Sequence, residues 1–178
     1  MGRTKTADEA FFQAIVEERA YQLNRDGIIP IGSGTPTHIM YLIESNTTAL
    51  ALNHVFAVSL SGDVNIEIWA NPTIGTPFSA LAPSTDMLTN KVVGATRSQI
   101  STVTTSTNIA DVTDFGVLVD NEILTESATG AEGKFHSQTV GDDHPNIILP
   151  GNSYLFKLTN VGAASTIRLH LEFSEEVI

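Results

Sequence analysis

Five histidines, His38, His54, His136, His144 and His170, and two carboxylate pairs, Asp142-Asp143 and Glu175-Glu176, are the side chains best equipped for chemistry. Imidazole and carboxylate together can ligate a metal. Two carboxyls about 5–10 Å apart can cleave a glycosidic bond. No two histidines have the spacing that places both on one helical face. His136 and His144 could approach across a hairpin over 134–149, with Asp142 and Asp143 beside them, but the same residues also describe an acidic, solvated turn. His54 falls in an apolar alternating run, which suits a hydrogen-bonded core or interface histidine. His170 falls on the polar side of the last strand. No Gly-x-Ser-x-Gly elbow occurs, and Gly32-Ser33-Gly34 lacks the Gly-Lys-Ser/Thr of a phosphate loop. The chain has no cysteine, which removes thiolate metal sites and Cys nucleophiles. The expectation is no catalytic residue, no metal and no cofactor.

Charge narrows the partners. The net charge is −11 with only 9 Lys and Arg, which argues against nucleic acid and against anionic membranes. Charged residues make up 16% of the chain, below the usual ~25%. Surface polarity must therefore come from Ser, Thr and Asn, as in β-rich proteins that sit against partners. No apolar run approaches the ~18 residues of a membrane span, and residues 1–12 do not read as a signal peptide. Absence of cysteine fits folding in a reducing cytoplasm.

These residues need positioning elements. The spacing of Thr6 and Glu9 suggests a capping box, and Phe12, Ile15, Val16, Ala20 and Leu23 follow a helical stripe with Phe11 beside it. The pattern predicts an amphipathic helix over 7–26, stopped at Asp26-Gly27. Its apolar face must pack on its own domain or dock on a partner. Ile28, Ile29 and Ile31 lie in a Pro/Gly-rich linker over 28–37. From residue 38 onward, short alternating runs punctuated by turn residues predict roughly eight to ten strands. The reading is an all-β, jelly-roll-like antiparallel sandwich over 38–178, preceded by an arm and helix over 1–27. At its centre, residues 45–77 read as a hairpin, with Leu50, Leu52, His54, Phe56, Val58 and Leu60 on one face and Ser61-Gly62-Asp63 as the turn. Residues 153–159 and 166–172 read as two more strands joined by a loop over 160–165. Pro150-Gly151 is placed for a type II turn, and 174–178 reads as a short acidic tail. Trp69 alternates with the apolar face of its strand, so it could meet the core, a subunit or a sugar.

The strand ending in Ile68-Trp69-Ala70-Asn71-Pro72-Thr73-Ile74-Gly75, the later Ile148-Leu149-Pro150-Gly151-Asn152 turn leading into 153–160, and the closing run 167–173 resemble a group of tailed-bacteriophage virion proteins. The resemblance covers roughly residues 38–176; the helix is outside it. It implies a small jelly-roll-like sandwich on the virion, assembled as a homotrimer and decorating or cementing the capsid. A tail or head-fibre role, binding a surface glycan, is the alternative. The implied partners are further copies of the chain and the major capsid protein, and the implied site is the virion surface, after synthesis in the host cytoplasm. The residues expected to dock are Phe11, Phe12, Ile15, Val16, Leu23, Ile28, Ile29 and Ile31, with Trp69 as an interface or ligand aromatic. Deleting residues 1–31 is expected to leave a folded β-domain that no longer joins its assembly.

Overall fold

The structure, a computed structural model, describes residues 7–25, 29–32, 37–81, 86–97, 99, 101–125, 135–139 and 146–176. One helix, α1 (Ala7–Val16), precedes strands β1 (Ala20–Arg25), β2 (Ile29–Ile31), β3 (His38–Glu44), β4 (Ala49–Ala70), β5 (Thr73–Ile74), β6 (Ser79–Ala80), β7 (Asp86–Asn90) and β8 (Thr102–Ser106). A 3-10 turn (Ile109–Asp111) leads to β9 (Val112–Asp114), β10 (Val117–Leu124), β11 (Phe135–Thr139), β12 (Asn146–Ile148) and β13 (Ser153–Glu176). The all-β, sandwich-like class with an N-terminal helix holds, built as one large curled antiparallel sheet.

Two strands of 22 and 24 residues, β4 and β13, form the spine. They run antiparallel from Ala49 opposite Glu176 to Ala70 opposite Tyr154. The two expected hairpins are therefore absent. Ser61-Gly62-Asp63 and residues 160–165 are not turns; they are the level at which both strands bend, with a register break between Val161 and Thr166. A bulge accommodates extra residues and sharpens the twist without reversing the chain. Beyond the bend, β10 pairs with β4 and β3 with β13, and β8 and β6 continue outward. On the other half β1 and β2 pair with β13, β7 with β1, and β11 and β12 with β4.

Folding the sheet at its shared strands lets one face enclose a single core. Ile66, Ile68, Phe156 and Leu158 from one half meet Leu50, Leu52, Leu169, Leu171 and Phe173 from the other. Alternation places these residues, because successive side chains of a strand point to opposite faces. The expected face of β4 is interrupted, however. A register break opposite Glu172 and Phe173 leaves Asn53 as the extra residue, and beyond it Ala57 and Ser59 are buried. His54 comes into register with Glu172.

The helix is ten residues, half the expected length. Glu18 takes φ +59 and ends it, and residues 20–25 are a strand paired with β13 on one side and β7 on the other. Tyr21 and Leu23 enter the core there, and Ile31 does so from β2. A division at residue 27 or 37 therefore cuts through the sheet. Deleting residues 1–31 would remove Tyr21, Leu23 and Ile31 from the core together with β1 and β2.

Candidate functional site

The residues expected to dock are spread over several environments. On α1, Ala14 is fully buried, Phe11 and Ile15 are half-buried, and Phe12 and Val16 are 67% and 65% exposed. Phe12 and Val16 are one helical turn apart and so share a face. Leu23 and Ile31 lie in the core, out of reach of a partner. Ile29 belongs to β2, and Ile28 lies outside the described residues.

The face of α1 that is not exposed is fastened by charge. Lys91 lies 5.6 Å from the Phe11 ring centroid and pairs with Glu172 of β13, which also meets His170 Nε2 at 3.0 Å. The hydrogen bond from His170, then those from Lys91, hold the Glu172 carboxyl down to about 2. His170 is thus half-buried in a small polar network rather than standing free. Just past the helix, buried Arg19 pairs with Glu17 at 2.7 Å and donates to the Glu175 carbonyl. Glu18 accepts from the backbone of Thr96 and Arg97, and these two bonds hold its carboxyl below the ordinary range.

Glu175 is a residue that the sequence misplaces. The expected acidic tail is the end of β13, and Glu175 is fully buried. Its Oε1 accepts from the Ser101 amide at 2.9 Å and hydroxyl at 3.1 Å, and Oε2 lies 3.8 Å from Arg97 Nη2. The signal was present: 175 continues the core-facing series 167, 169, 171 and 173. The two carboxyls of Glu175-Glu176 point to opposite faces of a strand, so they do not flank a common cleft. The His136–His144 idea, with Asp142 and Asp143, rests on side chains outside those described, as does the orientation of His54.

The outward face of the first half carries the other candidate group. Register places residues in rows across β10, β4, β13 and β3: Leu118, Trp69, Leu155, Leu42; then Asn121, Glu67, Lys157, Met40; then Ile123, Asn65, Thr159, His38. Within the first two rows Trp69, Leu155, Leu42 and Met40 are covered, in a second apolar cluster that adds Ile74 of β5, Val112 of β9, and Phe78 and Phe115 from neighbouring loops. Trp69 is half-buried there, its ring 5.4 Å from that of Phe115. A sugar would have to displace this covering to stack on it. Lys157 Nζ is 2.7 Å from Glu67 Oε2 and 5.0 Å from the Phe115 ring centroid. In the third row, buried His38 Nε2, Thr159 Oγ1 and Asn65 Oδ1 lack hydrogen-bond partners. Burial first, and Lys157 second, hold the His38 imidazole below its ordinary pKa.

Two turns singled out in the sequence meet at one end of the sheet. Asn71, at φ +54, donates its amide to the Ser153 carbonyl and accepts the Ser153 amide on Oδ1, at 2.9 and 3.0 Å. Pro150-Gly151 forms the expected type II turn, with Gly151 at φ +80 and Asn152 N–H bonded to Leu149 O. A polar cleft of about 240 Å³ beside it is lined by Glu44, Ser45, Asn46, Gly151, Asn152 and Ser153.

Among the described residues no cluster of three or more His, Cys, Asp or Glu could hold a metal, and no helix is long and apolar enough to cross a membrane. The surface is more informative. Val117, Leu118, Val119 and Ile123 of β10 are 43–68% exposed, and Ile147 and Leu149 at β12 are about half exposed. Fold and surface together define an acidic, all-β, sandwich-like protein with apolar side chains standing out along sheet edges. Comparison of the chain with protein-family models, curated proteins and solved structures returned no match.

Proposed function

We propose that the chain is a structural protein of a tailed-phage virion, which associates with its own copies as a homotrimer and decorates the outer capsid. The observation that supports this most is the placement of exposed apolar side chains. They lie on β10, at β12, and on α1 as Phe12 and Val16, all positions where a second protein can reach them. On β10 four of them fall within seven residues, Val117, Leu118, Val119 and Ile123, and grouped apolar exposure is a feature of contact surfaces. The mechanism is adhesion by many copies, in which weak single contacts add through avidity. The docking set is revised to Phe12 and Val16 on the helix, since Leu23 and Ile31 serve the core. The glycan-binding alternative has less support, because Trp69 is covered by Phe115 and its neighbours.

Light scattering on the purified protein, followed by co-sedimentation with shells lacking it, tests the reading. The expected result is a particle of three times the 19.1 kDa chain mass that pellets with shells. A monomer that stays in the supernatant would overturn it.

A further inference from the structure

We infer that the polar cleft beside the Pro150-Gly151 turn is a calcium-binding site. The cleft measures about 240 Å³ and is lined by Glu44, Ser45, Asn46, Gly151, Asn152 and Ser153. Three segments build it: the end of β3, the connection from β3 to β4, and the turn into β13. Hydrogen bonds lock these segments together. The Ser45 amide donates to the Asn152 carbonyl at 3.0 Å, and the Gly151 amide donates to the Ser45 carbonyl at 2.7 Å. The Ser153 amide donates to Asn71 Oδ1 at 3.0 Å, which ties the turn to the end of β4 as well. The walls are therefore set before a ligand arrives, and preorganisation of this kind lowers the cost of binding.

The chemistry of the occupant follows from which groups are already engaged. The amides of Ser45, Gly151, Asn152 and Ser153 all donate within the protein. The side-chain donors are committed too. Asn46 Nδ2 donates to Thr102 Oγ1 at 2.9 Å, and Ser45 Oγ donates to the Thr48 carbonyl. Asn152 Nδ2 donates to the Leu149 and Pro150 carbonyls at 3.2 and 3.3 Å. Both of those partners are carbonyls, so the nitrogen must face them and Oδ1 is left for the other side. Glu44 is half-buried, and its carboxylate meets neither a cation nor a hydrogen-bond donor among the described residues. Its register partners are Ser153 on β13 and Thr102 on β8, both neutral. A carboxylate withdrawn from water without a partner is costly, and a cation in the cleft would offset that cost. The groups that can still accept are all oxygens: the Glu44 carboxylate, Asn152 Oδ1 and the Ser45 and Ser153 hydroxyls. An oxygen set with room for several waters suits calcium, whereas zinc and copper favour imidazole or thiolate. With one carboxylate, the site belongs at the weak, millimolar end of the calcium range. The inference concerns what the cleft binds and does not depend on the virion reading.

The test titrates the intact, isotope-labelled protein with calcium chloride, and separately with magnesium chloride and with sodium chloride at matched ionic strength. NMR should show saturable shifts of the amides of 44–46 and 151–153, half complete at about 1 mM calcium. Glu44→Gln should weaken binding by about tenfold or more, since ligand charge sets affinity. Ser153→Asp places a second carboxylate across the strand pair from Glu44 and should tighten binding by about tenfold; it keeps the inference testable should Glu44→Gln fail to fold. Calcium should also raise the thermal midpoint of the parent, because it binds the folded form. Three results would overturn the inference: no saturable shift up to about 20 mM calcium, an affinity unchanged in both variants, or an equal response to magnesium or sodium. The last would mean an adventitious ion only.

Discussion

Gly62 of β4 and Ser165 of β13 face each other where the two spine strands bend, so closely that a Cβ on Gly62 would lie 2.8 Å from Ser165 Oγ. Gly62 has φ +66, and Ser165 donates from Oγ to the Asp63 carbonyl. Gly32, at φ +121, meets the same bulge from β2, where a Cβ would come within 2.6 Å of Ala164 Cα. The curl that closes the core thus rests on two positions without side chains. Gly62→Ala should cost roughly 1–3 kcal/mol, from the positive φ and the contact together. Gly32→Ala should cost more, because its clash is with backbone. Urea unfolding monitored by Trp69 fluorescence measures both; two variants as stable as the parent would show that the bend is not tightly packed.

Buried Glu175 ties the end of β13 to Ser101 and Arg97. Removing the carboxylate leaves the buried Ser101 amide and hydroxyl without their acceptor, at a cost of about 1–3 kcal/mol. Glu175→Ala is expected to fall in that range. Glu175→Gln, which keeps the acceptor for Ser101, should lose less. Calorimetry on the two variants checks the order; equal losses would mean that shape rather than charge and hydrogen bonding sets the requirement.

Acid should loosen the network around α1. The Glu172 carboxyl is held at about 2 by His170 and Lys91, below its unfolded value of about 4.3. A depressed carboxylate stabilises the fold fully above the unfolded pKa, and that contribution is lost as pH falls toward the folded one. The window is therefore about pH 4.5 down to about 2. After allowance for partial exposure, the contribution is on the order of 1–2 kcal/mol. Glu172→Gln should flatten the stability profile across that window in melts recorded at several pH values; an unchanged slope would remove Glu172 from the account.

Truncation separates the helix from the sheet. Deleting residues 1–16 should leave a cooperative β-fold, because α1 contributes no strand to the sheet and, among its described side chains, only Ala14 is fully buried. Deleting 1–31 should abolish folding, since Tyr21, Leu23 and Ile31 go with it. Near-ultraviolet circular dichroism distinguishes the outcomes, and a folded 32–178 fragment would contradict the role given to β1 and β2.

Much of the fold is legible where local pattern and final environment agree. Ile39, Tyr41 and Ile43, and then Ile167, Leu169, Leu171 and Phe173, alternate in sequence and enter the core as alternation requires. Pro150-Gly151 specifies its own turn because both backbone angles are set locally. Ser61-Gly62-Asp63 does not, since a positive-φ glycine serves a bulge as well as a hairpin. Only the pairing of β4 with the distant β13 decides between them. Residues 20–25 continue the helical stripe, yet Tyr21 and Leu23 also alternate, and pairing on both sides selects the strand. The covering of Trp69 depends on β5 and β9, short strands brought together across some forty residues of chain.

Cryo-electron microscopy of phage particles made with this chain present tests the proposed capsid role most directly. The account predicts β-sandwich density in groups of three on the outer shell, with Phe12 and Val16 of α1 at a protein contact. Particles without that density, or density as isolated monomers with α1 facing solvent, would contradict it.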